Sequence, residues 1–213
     1  MAIPLILASA SPARLATLRS AGVEPTVRAS DVDEPAVVQR AETDLGRLDA
    51  EDVALLLAKA KCESVATAVA EDDSAPEGLI VGCDSVLALD GETLGKPADA
   101  SDAVDRWRRM SGRTGVLHTG HWVIDDREDG TGATFGAVAS TTVHFADLSA
   151  EEIDAYVATG EPLHVAGAFA IDGLGGAYVR GIEGDYHNVV GISLPLLREM
   201  LAEIDVVWHE LLT

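Results

Sequence analysis

An unbroken apolar run over residues 3–8 predicts a fully buried strand near the start of the chain. It stops at Ser9-Ala10-Ser11-Pro12-Ala13-Arg14. Ser11 and Pro12 suit the N-cap and first turn of a helix over 13–21, which Gly22 ends. The same helix start, with its unpaired N–H groups, is also a cradle for phosphate, so cap and cradle stay open as readings. A second strand is expected over 23–29, then a polar loop holding Asp31-Val32-Asp33-Glu34-Pro35. Residues 50–70 read as one long helix and 71–78 as a breaker-rich loop. The run 79–82 reads as another buried strand, with Cys83-Asp84-Ser85 near its carboxyl end. Asp90-Gly91 signals a turn. A helix follows over 101–110, with Asp102/Arg106 and Asp105/Arg109 as surface pairs. Residues 116–124 and 134–145 read as paired strands around an acidic loop. Then come a helix over 149–159 with a Ser149/Glu152 capping box, a strand over 177–182 and a helix over 194–203. Strands alternating with helices around a central hairpin predict an α/β fold with a mixed sheet.

Composition narrows the function. With 36 acids against 15 bases, the net charge of −21 argues against nucleic acid or an anionic membrane as partner. It also disfavours an anionic small substrate unless cations are placed locally or a metal ion helps. The two cysteines, Cys62 and Cys83, have no metal-ligand spacing and read as buried free thiols. No basic leader precedes the first apolar run and no run reaches membrane-span length, so a cytoplasmic protein is expected.

Three lysines are present: Lys59, Lys61 and Lys96. Leu57, Lys61, Val65 and Val69 share one line of the long helix. A lysine there must snorkel outward or meet an anion. Lys59 shares a line with Glu63 and pairs with it in solvent. Asp84 suits a metal ligand or a general base for water, and equally a turn cap. Lys96, in "GETLGKP", fails the P-loop spacing; Pro97 stands where a magnesium-binding hydroxyl belongs. It reads as a solvated loop lysine or one held on a rigid loop. Glu34 can complete a metal site with Asp84, although most acids in so acidic a chain lie on the surface. "GLGGAY" lacks dinucleotide-binding spacing, His118 and His121 read as polar strand positions, and no nucleophile-elbow motif occurs. Together, Ser9, Ser11, Arg14, Lys61 and Lys96 as donors, with Glu34 and Asp84 as acids, describe metal-assisted phosphate-ester hydrolysis.

The stretches "LILASASPARLATLRSAG", "DVDE", "LAKAKCESVA", "VGCDSVLALDGETLGKP", "MSGRTGVLHTG", "LSAEEIDAYVATGEPLHVAGAFAIDGLGG" and "IEGDYHNVVGISLP" resemble, in order and spacing, the Maf family of nucleotide pyrophosphatases over essentially the whole chain. The resemblance implies one domain over residues 1–213, an α/β fold with a twisted mixed sheet, flanking helices and two lobes around a central cleft (Maf/ITPase-like). It often goes with homodimers. It implies hydrolysis of nucleoside triphosphates, standard or modified, to the monophosphate and pyrophosphate with a divalent metal cation, magnesium or manganese. A non-catalytic nucleotide-binding regulator of septum formation is the alternative, and a phosphatase removing the terminal phosphate a third. Carried over by position, Ser9 and Arg14 meet the phosphates. Glu34 and Asp84 hold the metal, Asp84 as base, and Lys61 and Lys96 stabilise phosphate charge. Ala13, Ser85 and Asp172 depart from the patterns that separate the pyrimidine-preferring and 7-methyl-GTP-preferring subfamilies. Gly115 stands where the family's "SGKTH" has histidine.

Overall fold

The computed structural model describes residues 2–213. Strand β1 (Leu5–Ala8) lies parallel to β2 (Thr26–Val27) on one side and to the start of β3 (Gly78–Leu89) on the other, with Leu5 beside Leu79 and Ala8 beside Gly82. Beyond that ladder everything is antiparallel. β3 pairs with the short β4 (Glu92–Leu94) and with β5 (Thr114–Asp126), β5 with β6 (Thr134–Phe145), and β6 with β7 (Val179–Glu183). The seven-stranded mixed sheet has the order β2-β1-β3-β5-β6-β7, with β4 off this path on β3.

Period-two alternation sorts the sheet's side chains. Leu5, Leu7, Leu79, Val81 and Cys83 pack against α1 (Pro12–Ser20) and α7 (Leu194–Ala202). Ile6, Ala8 and Ile80 face the other way, onto Cys62, Val65 and Val69 of α3 (Ala50–Ala70). Glycine lets α3 lie close: a Cβ at Gly82 would run into the Ala58 carbonyl and Cys62, and one at Gly120 into the Ala54 carbonyl. Farther along β3, Leu87 and Leu89 join α4 (Ala100–Met110) and α5 (Ala150–Ala158) around Trp107. That indole is fully buried, meets Phe145 and Tyr156 edge-on at 5.7 and 5.4 Å, and donates to the Ala168 carbonyl at 2.7 Å.

Several expectations change. The strand read over 79–82 runs on to Leu89, because β5 pairs with it from Gly78 to Ala88. Asp84 is therefore mid-strand, but it sits just past the end of the parallel ladder with β1, which is the carboxyl end for that part of the sheet. The segment read as a polar loop starts helix α2 (Glu34–Leu45), capped by Asp33, whose side chain accepts from the Ala36 amide at 3.1 Å. None of its residues is fully buried; Val37 and Val38 pack half-buried against Val53, Ala54 and Leu57 of α3. The strand expected over 23–29 shrinks to Thr26–Val27, and the strand after "GLGG" begins at Val179 behind a 3₁₀ turn. Arg109 pairs with Glu92 of β4 at 2.9 Å instead of Asp105, which takes Arg108. His118 and His121 lie on strand β5 as expected, and both are buried. The Ser11 cap, the Ser149/Glu152 capping box, the Lys59–Glu63 pair at 3.8 Å and the two buried free cysteines are as expected. No helix among the described residues is long and apolar enough to cross a membrane.

Candidate active site

A cavity of about 1340 Å³ opens where β1 ends. Ser9, Ser11, Arg14, Glu34, Lys61, Asp84, Ser85, Lys96 and Asp172, the whole set singled out from sequence, line it together.

Successive side chains of β3 point to opposite faces, and this splits the floor of the cavity. Asp84 points toward α3, where Lys61 projects from the buried line Leu57, Val65, Val69. The Lys61 ammonium bonds Asp84 Oδ1 and lies 2.8 Å from Glu34 Oε1 at the start of α2. One cation thus joins two carboxylates from separate elements. Burial pushes the Asp84 carboxyl above its ordinary value, against the pull of Lys61 and Arg14. Burial also acts upward on Glu34. There the hydrogen bond and charge of Lys61, helped by Lys96 and Arg14, outweigh it and hold the group below the usual range.

Ser85 points to the opposite face, toward Arg14 on α1. That guanidinium is buried and held at three points. Nε donates to the Gly191 carbonyl at 2.7 Å, Nη1 to Ser9 Oγ at 3.1 Å and Nη2 to Ser85 Oγ at 3.1 Å. Ser9 Oγ also accepts the Ser11 amide at 3.2 Å, and Ser11 Oγ accepts the Arg14 amide at 3.4 Å. The helix cap and the lining of the cavity are therefore the same residues, and the two readings of this loop are compatible.

Lys96 stands exposed at the rim on an anchored turn. The Gly95 carbonyl before it accepts from Arg106 Nη1 at 2.6 Å and from the Gly167 amide at 3.1 Å. Asp172 also lines the cavity. The turn after it is tied down by Glu161, which accepts the Leu174 and Gly175 amides, each at 2.9 Å, and the Tyr156 hydroxyl at 2.7 Å. Sequence reading passed over Glu161, Thr119 and the Gly191 carbonyl. Glu161 is one acid among many, and a backbone carbonyl leaves no trace in a sequence. Thr119 left one sign, a polar residue between two histidines in an otherwise apolar strand.

Four basic side chains (Arg14, Arg47, Lys61, Lys96) and five acidic ones (Glu34, Glu42, Asp84, Glu161, Asp172) line the cavity. Among the described residues no three His, Cys, Asp or Glu side chains gather into a metal-ligating group. A helix start, rigidly held basic groups and paired carboxylates in one cleft of a mixed sheet define an α/β protein equipped to hold a phosphorylated ligand.

The Maf-like protein family matches residues 4–204, and the chain belongs to that family. It is 51% identical to the nucleoside triphosphate pyrophosphatase of Leifsonia xyli subsp. xyli, over 97% of this chain and 95% of the relative. It is 54% identical to that of Salinispora tropica over 94% of this chain and 84% of the relative. It is 50% identical to that of Streptomyces coelicolor over 94% and 90%.

Proposed function

We propose that this chain is a nucleoside triphosphate pyrophosphatase, releasing the monophosphate and pyrophosphate by attack of water at the α-phosphorus. The names of its relatives support the reaction, and one observation carries the assignment of residues: all the candidate groups meet in a single cavity, with Lys61 joining Asp84 to Glu34.

Asp84 is the general base. Its Oδ1 is taken by Lys61, no protein donor among the described residues reaches Oδ2, and a carboxyl pushed up by burial is the stronger proton acceptor. Ser9, Ser11 and Arg14 bind phosphate oxygens at the start of α1, with Ser85 behind Arg14. Arg14 has five N–H groups and spends three on the protein, so two remain for oxygens. Lys61 and Lys96 stabilise charge on the phosphates. Asp172, also in the lining, accepts a hydrogen bond from an amino group of the nucleobase.

Glu34 and Asp84 are the residues that would hold a divalent cation, magnesium or manganese. They fit one: each carboxylate keeps an oxygen not bonded to Lys61, magnesium is commonly held by one or two carboxylates plus substrate phosphates, and the lining carries one more acid than base. When bound, such an ion supplies positive charge to the triphosphate and polarises the reacting phosphoryl group. The free thiols of Cys62 and Cys83 support a cytoplasmic setting, and the family resemblance supports one domain of two lobes acting as a homodimer, which sedimentation velocity tests.

The decisive experiment is a panel of standard and modified triphosphates with magnesium or manganese, scored for monophosphate and pyrophosphate. Asp84→Asn is expected to lose at least about 100-fold in kcat while remaining folded. Equal turnover by Asp84→Asn removes Asp84 as base; orthophosphate and diphosphate as products, or tight binding without products, refute the reaction.

A further inference from the structure

Arg14 is the most constrained cation of the cavity, and one of its supports leads away from the ligand. Ser85 Oγ lies 2.8 Å from Thr119 Oγ1 on the neighbouring strand β5, and Thr119 Oγ1 lies 3.0 Å from the Asn188 carbonyl at α6 (Tyr186–Val190). The proton directions are forced. A carbonyl only accepts, so the single proton of Thr119 goes to Asn188. Ser85 must then donate to Thr119, and its remaining lone pairs take the Arg14 Nη2–H. The chain runs one way, guanidinium to Ser85 to Thr119 to Asn188. The Gly191 carbonyl, just past the same helix, takes Nε–H of the same guanidinium. The end of α6 therefore grips Arg14 twice, once directly and once through two hydroxyls.

We propose that Thr119 is a positioning residue for phosphate binding, acting through Ser85 to aim the two free N–H groups of Arg14. The proposal rests on the phosphate-binding role given above to Arg14. Thr119 has no exposed surface and does not line the cavity, so it touches no ligand. Ser85 does line the cavity, but with its proton committed to Thr119 it faces Arg14 as an acceptor. Its part in the site is to fix the guanidinium rather than to donate to substrate.

The test compares Thr119→Val, which keeps shape and removes the hydroxyl, with Thr119→Ser, which restores it, and with Ser85→Ala and the Ser85→Ala/Thr119→Val pair. Two readouts are used: steady-state hydrolysis of a triphosphate, and calorimetric titration with inorganic pyrophosphate in magnesium buffer. Thr119→Val is expected to raise KM and the pyrophosphate Kd roughly tenfold, the scale of one lost hydrogen bond to a charged group, with kcat changed less than about threefold. Thr119→Ser recovers wild-type affinity. The double variant matches Ser85→Ala within about twofold, because both changes cut the same chain.

A purely structural role lowers the active fraction, moving kcat and leaving KM and Kd alone; that result overturns the proposal, as do multiplicative losses in the double variant. If wild type binds pyrophosphate but hydrolyses nothing, the enzyme reading fails while the titrations still decide the role of Thr119. If wild type binds neither pyrophosphate nor triphosphate, both fall.

Discussion

Replacing Lys61 by methionine isolates the ion cluster on the cavity floor. Methionine keeps the length and apolar stem of the side chain, so the change removes the ammonium and little else. Lys61 is 9% exposed and Asp84 7%, and the pair shares a direct hydrogen bond. Taking one partner from a buried pair costs about 3–5 kcal/mol, because the other charge is left without compensation. Glu34, with 38% of its side chain exposed, turns to water and adds little. For a chain of this size each kcal/mol moves the melting temperature by about 2–4 °C, so Lys61→Met is expected to melt about 10 °C lower at pH 7. The sign of the pH dependence follows from Asp84. Its folded pKa is already raised by burial, and losing Lys61 raises it further. Between the unfolded and folded values the native state binds the extra proton. The penalty is therefore full above the folded pKa and absent below the unfolded one. Lys61→Met thus regains stability, relative to wild type, as pH falls from 7 through the carboxylate range. Lys61→Met/Asp84→Asn removes both charges and recovers most of the stability at pH 7, while pyrophosphate release stays abolished. Urea unfolding followed by circular dichroism at several pH values reads all of this. A single variant as stable as wild type at pH 7, or a double variant no better than the single, refutes the reasoning.

Two further outcomes follow from groups outside the cavity. His121 is fully buried, donates through Nδ1 to the Thr119 carbonyl at 3.0 Å and accepts the Ser193 amide on Nε2 at 2.8 Å. Burial pushes it down to about 4 from 6.5, so the unfolded chain binds the extra proton between those values and stability rises with pH across that window. The contribution is about 3 kcal/mol, and His121→Gln, compared by urea midpoints at pH 4.5 and 7, loses that part of the slope. Gly82→Ala forces α3 off the sheet at Ala58 and Cys62, at a cost of about 1–3 kcal/mol. Because that shift also moves Lys61 from Asp84, pyrophosphate release falls further than the urea midpoint alone accounts for; a variant with wild-type stability and rate shows that the close approach is not needed.

Local chemistry was legible in the sequence wherever a side chain's own neighbours determine its fate. The i+4 line through Leu57, Val65 and Val69 separated Lys61 from Lys59, and the structure buries the one and pairs the other with Glu63. Ser11-Pro12 marked a helix start, and Ser149 with Glu152 marked another. What escaped depends on partners distant in sequence. β3 runs five residues beyond Asp84 because β5 accompanies it, and nothing in "LIVGCDS" announces that partner. In α2 the apolar line Val37, Ala41 and Leu45 is short and set among polar residues, and Asp33-Glu34-Pro35 at its start reads as a loop. The grip on Arg14 uses the carbonyls of Asn188 and Gly191, which every residue carries and no pattern distinguishes.

The surplus of acid does not by itself forbid a triphosphate. At physiological salt the Debye length is about 8 Å, so most of the net −21 is screened from a ligand in the cavity, and the lining decides. That lining is not a positive field either, with five acids against four bases. Lys61 is partly neutralised by the two carboxylates it joins, and Lys96 stands at the rim. Beside the divalent cation that Glu34 and Asp84 would hold, the protein's own attraction must therefore come from directed contacts: the amides at the start of α1, the Ser9 and Ser11 hydroxyls, and two aimed N–H groups of Arg14. Such contacts depend on orientation far more than a diffuse potential does. This is why a hydroxyl that never meets the ligand, Thr119, can govern affinity in a molecule whose overall charge repels it.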